Sequence, residues 1–255
     1  MIVSENINKK ISKIGQQLVN DHPFYSKYSD IICNPEKGIV PRCLSYESEH
    51  RDPRKQGSVI VGLNPGSMKR FIDVQNKIKS FRNRNDGLFS YHKIDGYLKK
   101  RFMFDDINNK HKAHPYYRNL RNLVNQLKLD GPILWTEIVK CESKMRGKLS
   151  VRTIRDDINR YLLKEIDATP TNWPLIGVGD EAYKILSYYF NKRLVIGVPH
   201  VTGVRNNRYS FNQLVSGKKD DKKLKLKIKR KISKILKDNL PVTVRLIDLK
   251  QYTLD

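Results

Sequence analysis

Apolar positions recur at helical spacing over several stretches of this chain, and short unbroken apolar runs lie between them. Ile7, Ile11, Ile14 and Leu18 share one face of an N-terminal helix, which His22-Pro23-Phe24 ends. From Asn34 to Gly57 the chain is rich in proline, glycine and charge and predicts mostly loop. Ser58–Gly62 is an apolar run stopped by Asn64-Pro65-Gly66, the pattern of a buried strand meeting a tight turn. Further along, Leu120, Leu123, Val124 and Leu127 make a helical stripe, and residues 132–140 read as a strand. A second stripe joins Val151, Ile154, Ile158, Tyr161 and Leu162, with Ser150 placed to cap it. Residues 174–179 predict a strand, and Asp180 caps a helix whose stripe is Ala182, Ile185, Leu186 and Tyr189. Residues 193–199 predict a fourth strand. Strand–helix alternation of this kind predicts a three-layer α/β/α sandwich around a central, mainly parallel four-stranded sheet, with its site at the strands' carboxyl ends.

Two stretches depart from this rhythm. Residues 67–115 interleave Lys and Arg with Phe71, Phe81, Phe89, Tyr91, Tyr97, Phe102 and Phe104 without a clean period. They predict a basic, aromatic insertion with some helix, lying on the surface. Residues 217–255 carry a basic helix, with Ile228, Ile232, Ile235 and Leu236 as its apolar face, and a possible edge strand at 242–249. The expectation is one domain over 1–255, led by a helix and loop over 1–57.

Composition sharpens the picture. The 255 residues hold 50 Lys and Arg against 26 Asp and Glu, a net charge of +24. Such an excess calls for a polyanion, nucleic acid before an anionic membrane surface. If eight cations touch phosphate, affinity falls with salt at a log–log slope of about −7. No run approaches the roughly 20 apolar residues of a membrane span. The N-terminus lacks the order of a signal peptide, and three unevenly spaced cysteines make no disulfide framework. A cytoplasmic monomer without membrane contact is expected.

Three strand ends offer chemistry. The turn Gly62-Leu63-Asn64-Pro65-Gly66 lets backbone N–H groups approach a ligand and presents Asn64; it equally serves to stop a strand. It lacks the Lys-Ser/Thr ending of a phosphate-binding P-loop. Glu137 closes the second strand, either as a ligand reader or as half of an ion pair. His200 follows the fourth strand, either as a site residue or as an ordinary loop histidine. Each follows a different parallel strand, so the three can converge on one cleft.

In this order the motifs resemble the uracil-DNA glycosylase superfamily. Gly62–Gly66 is similar to the first motif of its mismatch-specific uracil/thymine branch. His200-Val201-Thr202-Gly203 is similar to the second motif, and Thr136–Cys141 to a Thr-Asn-Val-Val-Lys-Cys strand of the thermophilic iron–sulfur branch. Residues 175–186 match the strand–glycine–helix unit before the second motif. The resemblance covers 58–66 and roughly 114–205. It implies a monofunctional DNA glycosylase of base excision repair that hydrolyses the N-glycosidic bond of a flipped-out damaged or deaminated base. In that scheme Asn64 positions water and His200 stabilises the leaving base. Glu137 and Leu63 contact the base, and Tyr116 or Tyr117 stacks on it. Pro65, Gly66, Thr202, Gly203 and Arg205 grip phosphate. The alternative is a catalytically inactive nucleic-acid-binding module of the same fold.

Three departures bear on the resemblance. Val201 stands where the family has Pro, which loosens the turn holding His200. Glu137 stands where many relatives read uracil with Asn. An ionised carboxylate only accepts hydrogen bonds and favours a base bearing an exocyclic amino group or another deaminated base, unless Glu137 is protonated or points away. Finally, only Cys33, Cys43 and Cys141 are present against the four ligands of the iron–sulfur branch, so no metal or cluster is expected.

Overall fold

The computed structural model describes residues 2–49, 51–66, 71–105, 112–144, 149–201 and 246–248, with backbone alone for 2–4 and 246–248. Thr202, Gly203, Arg205 and the basic helix expected within 217–255 lie outside these residues. Six strands form one sheet: β2 (Leu44–Glu47), β3 (Ser58–Gly62), β4 (Ile133–Glu137), β6 (Leu175–Val178), β7 (Val195–Val198) and β8 (Leu246–Asp248). Their order is β2-β4-β3-β6-β7-β8, and β3, β6, β7 and β8 are parallel neighbours. The four predicted strands are its centre. A strand at each edge extends it beyond the expected four. The expected 242–249 strand is formed at 246–248, where Leu246 is the register partner of Val195.

Among the described residues no helix is long and apolar enough to cross a membrane. The chain groups into two compact units, one of residues 1–46, 62–99 and 135–169, the other of 47–61, 100–134 and 170–255.

In the first unit, helix α1 (Ile2–Val19) buries Ile7, Ile11, Leu18 and Val19, close to the predicted face. A short turn, α2 (His22–Tyr25), follows with Pro23 in its first turn, where the missing N–H is not needed. The insertion carries the expected helix, but part of its apolar face is buried rather than on the surface. Helices α3 (Ile72–Lys79) and α4 (Tyr91–Leu98) bury Val74, Ile78, Tyr91 and Ile94, and Phe89 between them is 1% exposed. Each large apolar side chain so buried contributes about 1.5–3 kcal/mol. The segment is pinned by polar side chains at the end of α1 and in the turn after it. Gln16 Nε2 donates to the Phe89 carbonyl at 2.8 Å, and Asn20 Oδ1 accepts from the Phe89 N–H at 2.7 Å. The 34–57 stretch is mostly loop, as expected, apart from a short 3-10 turn at Pro35–Lys37 and Leu44–Glu47, a strand buried along its whole length. Its alternation of polar and apolar residues reads as exposed only if one face meets water.

Also in this unit, β1 (Ile31–Ile32) pairs antiparallel with β5 (Glu142–Ser143). Helix α6 (Val151–Asp157) runs through a π-helical turn, Ile158–Leu162, into α7 (Leu163–Asp167). Ser150 caps α6 as expected, accepting from Thr153 N at 3.1 Å. The stripe is corrected at Val151, which is 81% exposed; Thr153, Asp157 and Glu165 join Ile158, Tyr161 and Leu162 on the buried side.

In the second unit, α5 (Pro115–Gln126) buries Leu120, Leu123 and Val124, as the stripe predicts. Helix α8 (Asp180–Tyr189) packs on β6 and β7 by burying Ala182 and Leu186. The cap is Gly179, at φ +92°, rather than Asp180, whose carboxylate instead lies in the first turn at the positive end of the helix dipole. Gly197 has no side chain because Tyr183 occupies the space: a Cβ there would lie 2.7 Å from the ring.

Candidate active site

In the first unit, β3 ends at Gly62 and the chain turns through Leu63 and Asn64. The connection after β4 runs beside it, with Ile138 N donating to the Gly62 carbonyl and Val139 N to the Leu63 carbonyl, both at 2.9 Å. Asn64 is half-buried, and its Nδ2 donates to the Pro65 carbonyl at 3.3 Å, which leaves Oδ1 to accept from a water. Pro65 is buried and Gly66 exposed. Arg42, itself buried, holds the turn from below: Nη2 donates to the Gly66 carbonyl and to Glu142 Oε1, each at 2.8 Å. Sequence reasoning missed Arg42 because it sits in a stretch with no periodic pattern.

Glu137, the last residue of β4, lays its carboxyl over the Gly62 backbone. A Cβ on Gly62 would come within 2.0 Å of Glu137 Oε2. That oxygen is buried and has no hydrogen-bond partner among the described residues. Burial pushes the carboxyl up to about 8, against weaker opposing pulls from Lys140 and Arg42. Both cations are already engaged. Arg42 pairs with Glu142, and the fully buried Lys140 pairs with Glu165 at 2.7 Å. Lys140 Nζ also donates to Thr136 Oγ1 at 2.5 Å and to the Glu137 carbonyl. Asp157 accepts from Lys140 N at 3.1 Å and from the Tyr25 hydroxyl at 2.6 Å. Thus Lys140, unremarked in a sequence full of lysines, fixes the backbone that carries Glu137. Of the two roles open to Glu137, the ion pair is not made among the described residues; its carboxyl is held mainly neutral at pH 7.

In the second unit, Gly179 N donates to the Val198 carbonyl at 2.8 Å and the chain leaves β7 through Pro199 to His200. The His200 ring stands 6.3 Å from that of Tyr116, centroid to centroid, and Tyr116 meets Tyr117 edge-on at 5.3 Å. His114 caps α5 by accepting from Tyr116 N at 3.3 Å. The imidazole of His200 reaches the surface, yet the protein around it lowers its pKa by desolvation, so the neutral ring, with one N–H to donate, prevails at pH 7. Val201, where the family has Pro, is buried at 3% exposed.

A cleft of about 330 Å³ also lies in the second unit, lined among others by Glu47, Arg51, Phe104 and Arg121. None of the predicted site residues lines it. Glu47 carries both arginines, accepting from Arg121 Nε at 2.9 Å and Arg51 Nε at 3.3 Å, while Arg121 lies over the Phe104 ring. Among the described residues no three His, Cys, Asp or Glu side chains gather as metal ligands. Compared with known protein families and with curated proteins, the chain matches none.

Proposed function

We propose that this chain is a DNA glycosylase of the uracil-DNA glycosylase type, removing a deaminated base that has been turned out of the DNA stack. The observation that carries the reading is the join of the Asn64 turn and the Glu137 carboxyl across Gly62. The His200–Tyr116 pair, an N–H donor next to an aromatic face, supplies the complementary chemistry.

In this reading a water accepted by Asn64 Oδ1 attacks C1′ as the glycosidic bond breaks. The electron pair of that bond leaves with the base, and the attacking water loses its proton to solvent. An amide is too weak a base to remove that proton, so Asn64 orients and does not abstract. His200 donates to the carbonyl oxygen where the base's negative charge collects, a contact worth about 2.7–4 kcal/mol when well aimed. Tyr116 or Tyr117 stacks on the base, and the net charge of +24 holds the phosphates.

The neutral Glu137 changes the expected base preference. A protonated carboxyl has one O–H to donate and one carbonyl to accept, the pattern of the Asn amide it replaces. It can pair with an N–H beside a C=O, the edge shared by uracil, hypoxanthine and xanthine, which an ionised carboxylate cannot do. Duplex and single-stranded oligonucleotides carrying each base, followed by alkaline cleavage, test the reading. Strand breaks at these bases, lost in Asn64→Ala and His200→Ala, are expected. Tight DNA binding with no breaks at any base would instead support the inactive binding module.

A further inference from the structure

The antiparallel pair β1–β5 sets Ile31 opposite Ser143 and Ile32 opposite Glu142. Continued by one residue, the same register sets Cys33 opposite Cys141. Lys144 N donates to the Asp30 carbonyl at 2.8 Å, which makes 30/144 a hydrogen-bonded position of the ladder. Positions alternate, so 32/142 is the next such pair and 33/141 is a non-hydrogen-bonded one. In a pair of that kind the Cα atoms approach to about 4.5 Å, within the range a disulfide spans, and both side chains stand on one face. Burial, and after it the neighbouring Cys33 thiol, push the Cys141 thiol up. Cys33 is partly exposed and Cys141 is buried.

We propose that Cys33 and Cys141 form a reversible cross-strand disulfide site, oxidised by a peroxide and reduced by a thiol. The Cys33 sulfur, the less buried of the two, attacks the peroxide, the O–O bond breaks, and water leaves, giving a sulfenic acid. The Cys141 sulfur then displaces the hydroxyl from Cys33; that hydroxyl takes the Cys141 proton and leaves as a second water. Two thiols and one hydrogen peroxide thus yield one disulfide and two waters. The third cysteine stays out of the exchange. Cys43 sits at φ +70°, a constrained backbone for a residue with a side chain, and lies outside the β1–β5 ladder that sets the other two opposite each other.

The bridge would tie together segments more than a hundred residues apart in the chain, at the connection that follows Glu137 and Lys140. Closing so long a loop restricts the unfolded chain, and a rise in Tm of about 5–10 °C is expected, reversed by dithiothreitol. The test treats the full chain with hydrogen peroxide, alkylates free thiols after denaturation and maps peptides without reduction. A linked peptide joining Cys33 to Cys141, with Cys43 alkylated, is expected in the wild type and in Cys43→Ser, and no link in Cys33→Ser. Three alkylated cysteines, sulfinic acid at Cys33 without a link, or any link through Cys43 overturns the proposal. Because the wild type alone decides between these outcomes, a variant that folds poorly does not blur the result.

Discussion

The Glu137 carboxyl occupies the space a side chain on Gly62 would fill, with Oε2 2.0 Å from the position of that absent Cβ. Two neighbouring strand ends are thereby locked together: the glycine gives the carboxyl its place, and the carboxyl, being buried there, keeps its proton. Gly62→Ala pushes the carboxyl outward. The atoms that must move are the free end of a flexible side chain, so stability changes little, within about 1 kcal/mol. The Glu137 pKa falls from about 8 toward 4.5 by roughly a unit or more. Carboxyl carbon chemical shifts followed against pH measure this, and an unmoved titration would show that Gly62 does not set the carboxyl's surroundings.

Stability depends on pH through the same group. Its folded-state pKa, about 8, lies above its ordinary 4.5. Between those pH values the unfolded chain gives up a proton that the folded chain keeps, so this contribution is full below about 4.5 and is lost as pH rises through about 8. Glu137→Gln removes it. Urea unfolding at pH 5 and pH 8.5 is expected to show a smaller loss for the variant than for the wild type. Equal losses would contradict the assignment.

Base release, on the proposed function, shares the dependence. Wild-type turnover on uracil or hypoxanthine is expected to drop above pH about 8, as the O–H donor is lost. Glu137→Gln keeps a donor and an acceptor at every pH, so its profile should stay level through that range. An alkaline fall of the same size in both proteins would assign it to another group.

Lys140 is the test of the buried network. Lys140→Met leaves Glu165 in the interior without its cation, a loss of about 3–5 kcal/mol. Adding Glu165→Gln removes the stranded charge and should restore a substantial part of that stability. Chemical denaturation of the three variants forms the cycle; a double variant no better than the single one would mean that packing, not charge, explains the loss.

Gly15 poses a contest between two effects. Alanine in place of a helical glycine favours α1 by about 1 kcal/mol. Against that, the new Cβ would lie 2.4 Å from Tyr91 Cε2, on a ring whose hydroxyl is tied to the Leu44 carbonyl at 3.0 Å. The ring cannot swing away without losing that bond, and overpacking of this kind costs about 1–3 kcal/mol. Gly15→Ala is expected to lower Tm, and a raised Tm would show that the helix gives way instead.

Period and punctuation along the chain determined the central strands, the helices that begin near Ser150 and Gly179, and the positions of Asn64, Glu137 and His200 at strand ends. These are local properties: a run of Val and Ile, a capping hydroxyl and a Pro-Gly stop each act over a few residues. Tertiary structure alone decided the rest. Leu44–Glu47 became a strand because it pairs with β4 at the edge of the sheet, with all four residues buried. Phe89 and Tyr91 left the expected surface because Gln16 of α1 and Asn20 just after it satisfy the backbone there. The ionisation of Glu137 rests on which atoms crowd its carboxyl and on Lys140 and Arg42 being engaged elsewhere, a matter of distances in space that no spacing along the chain encodes.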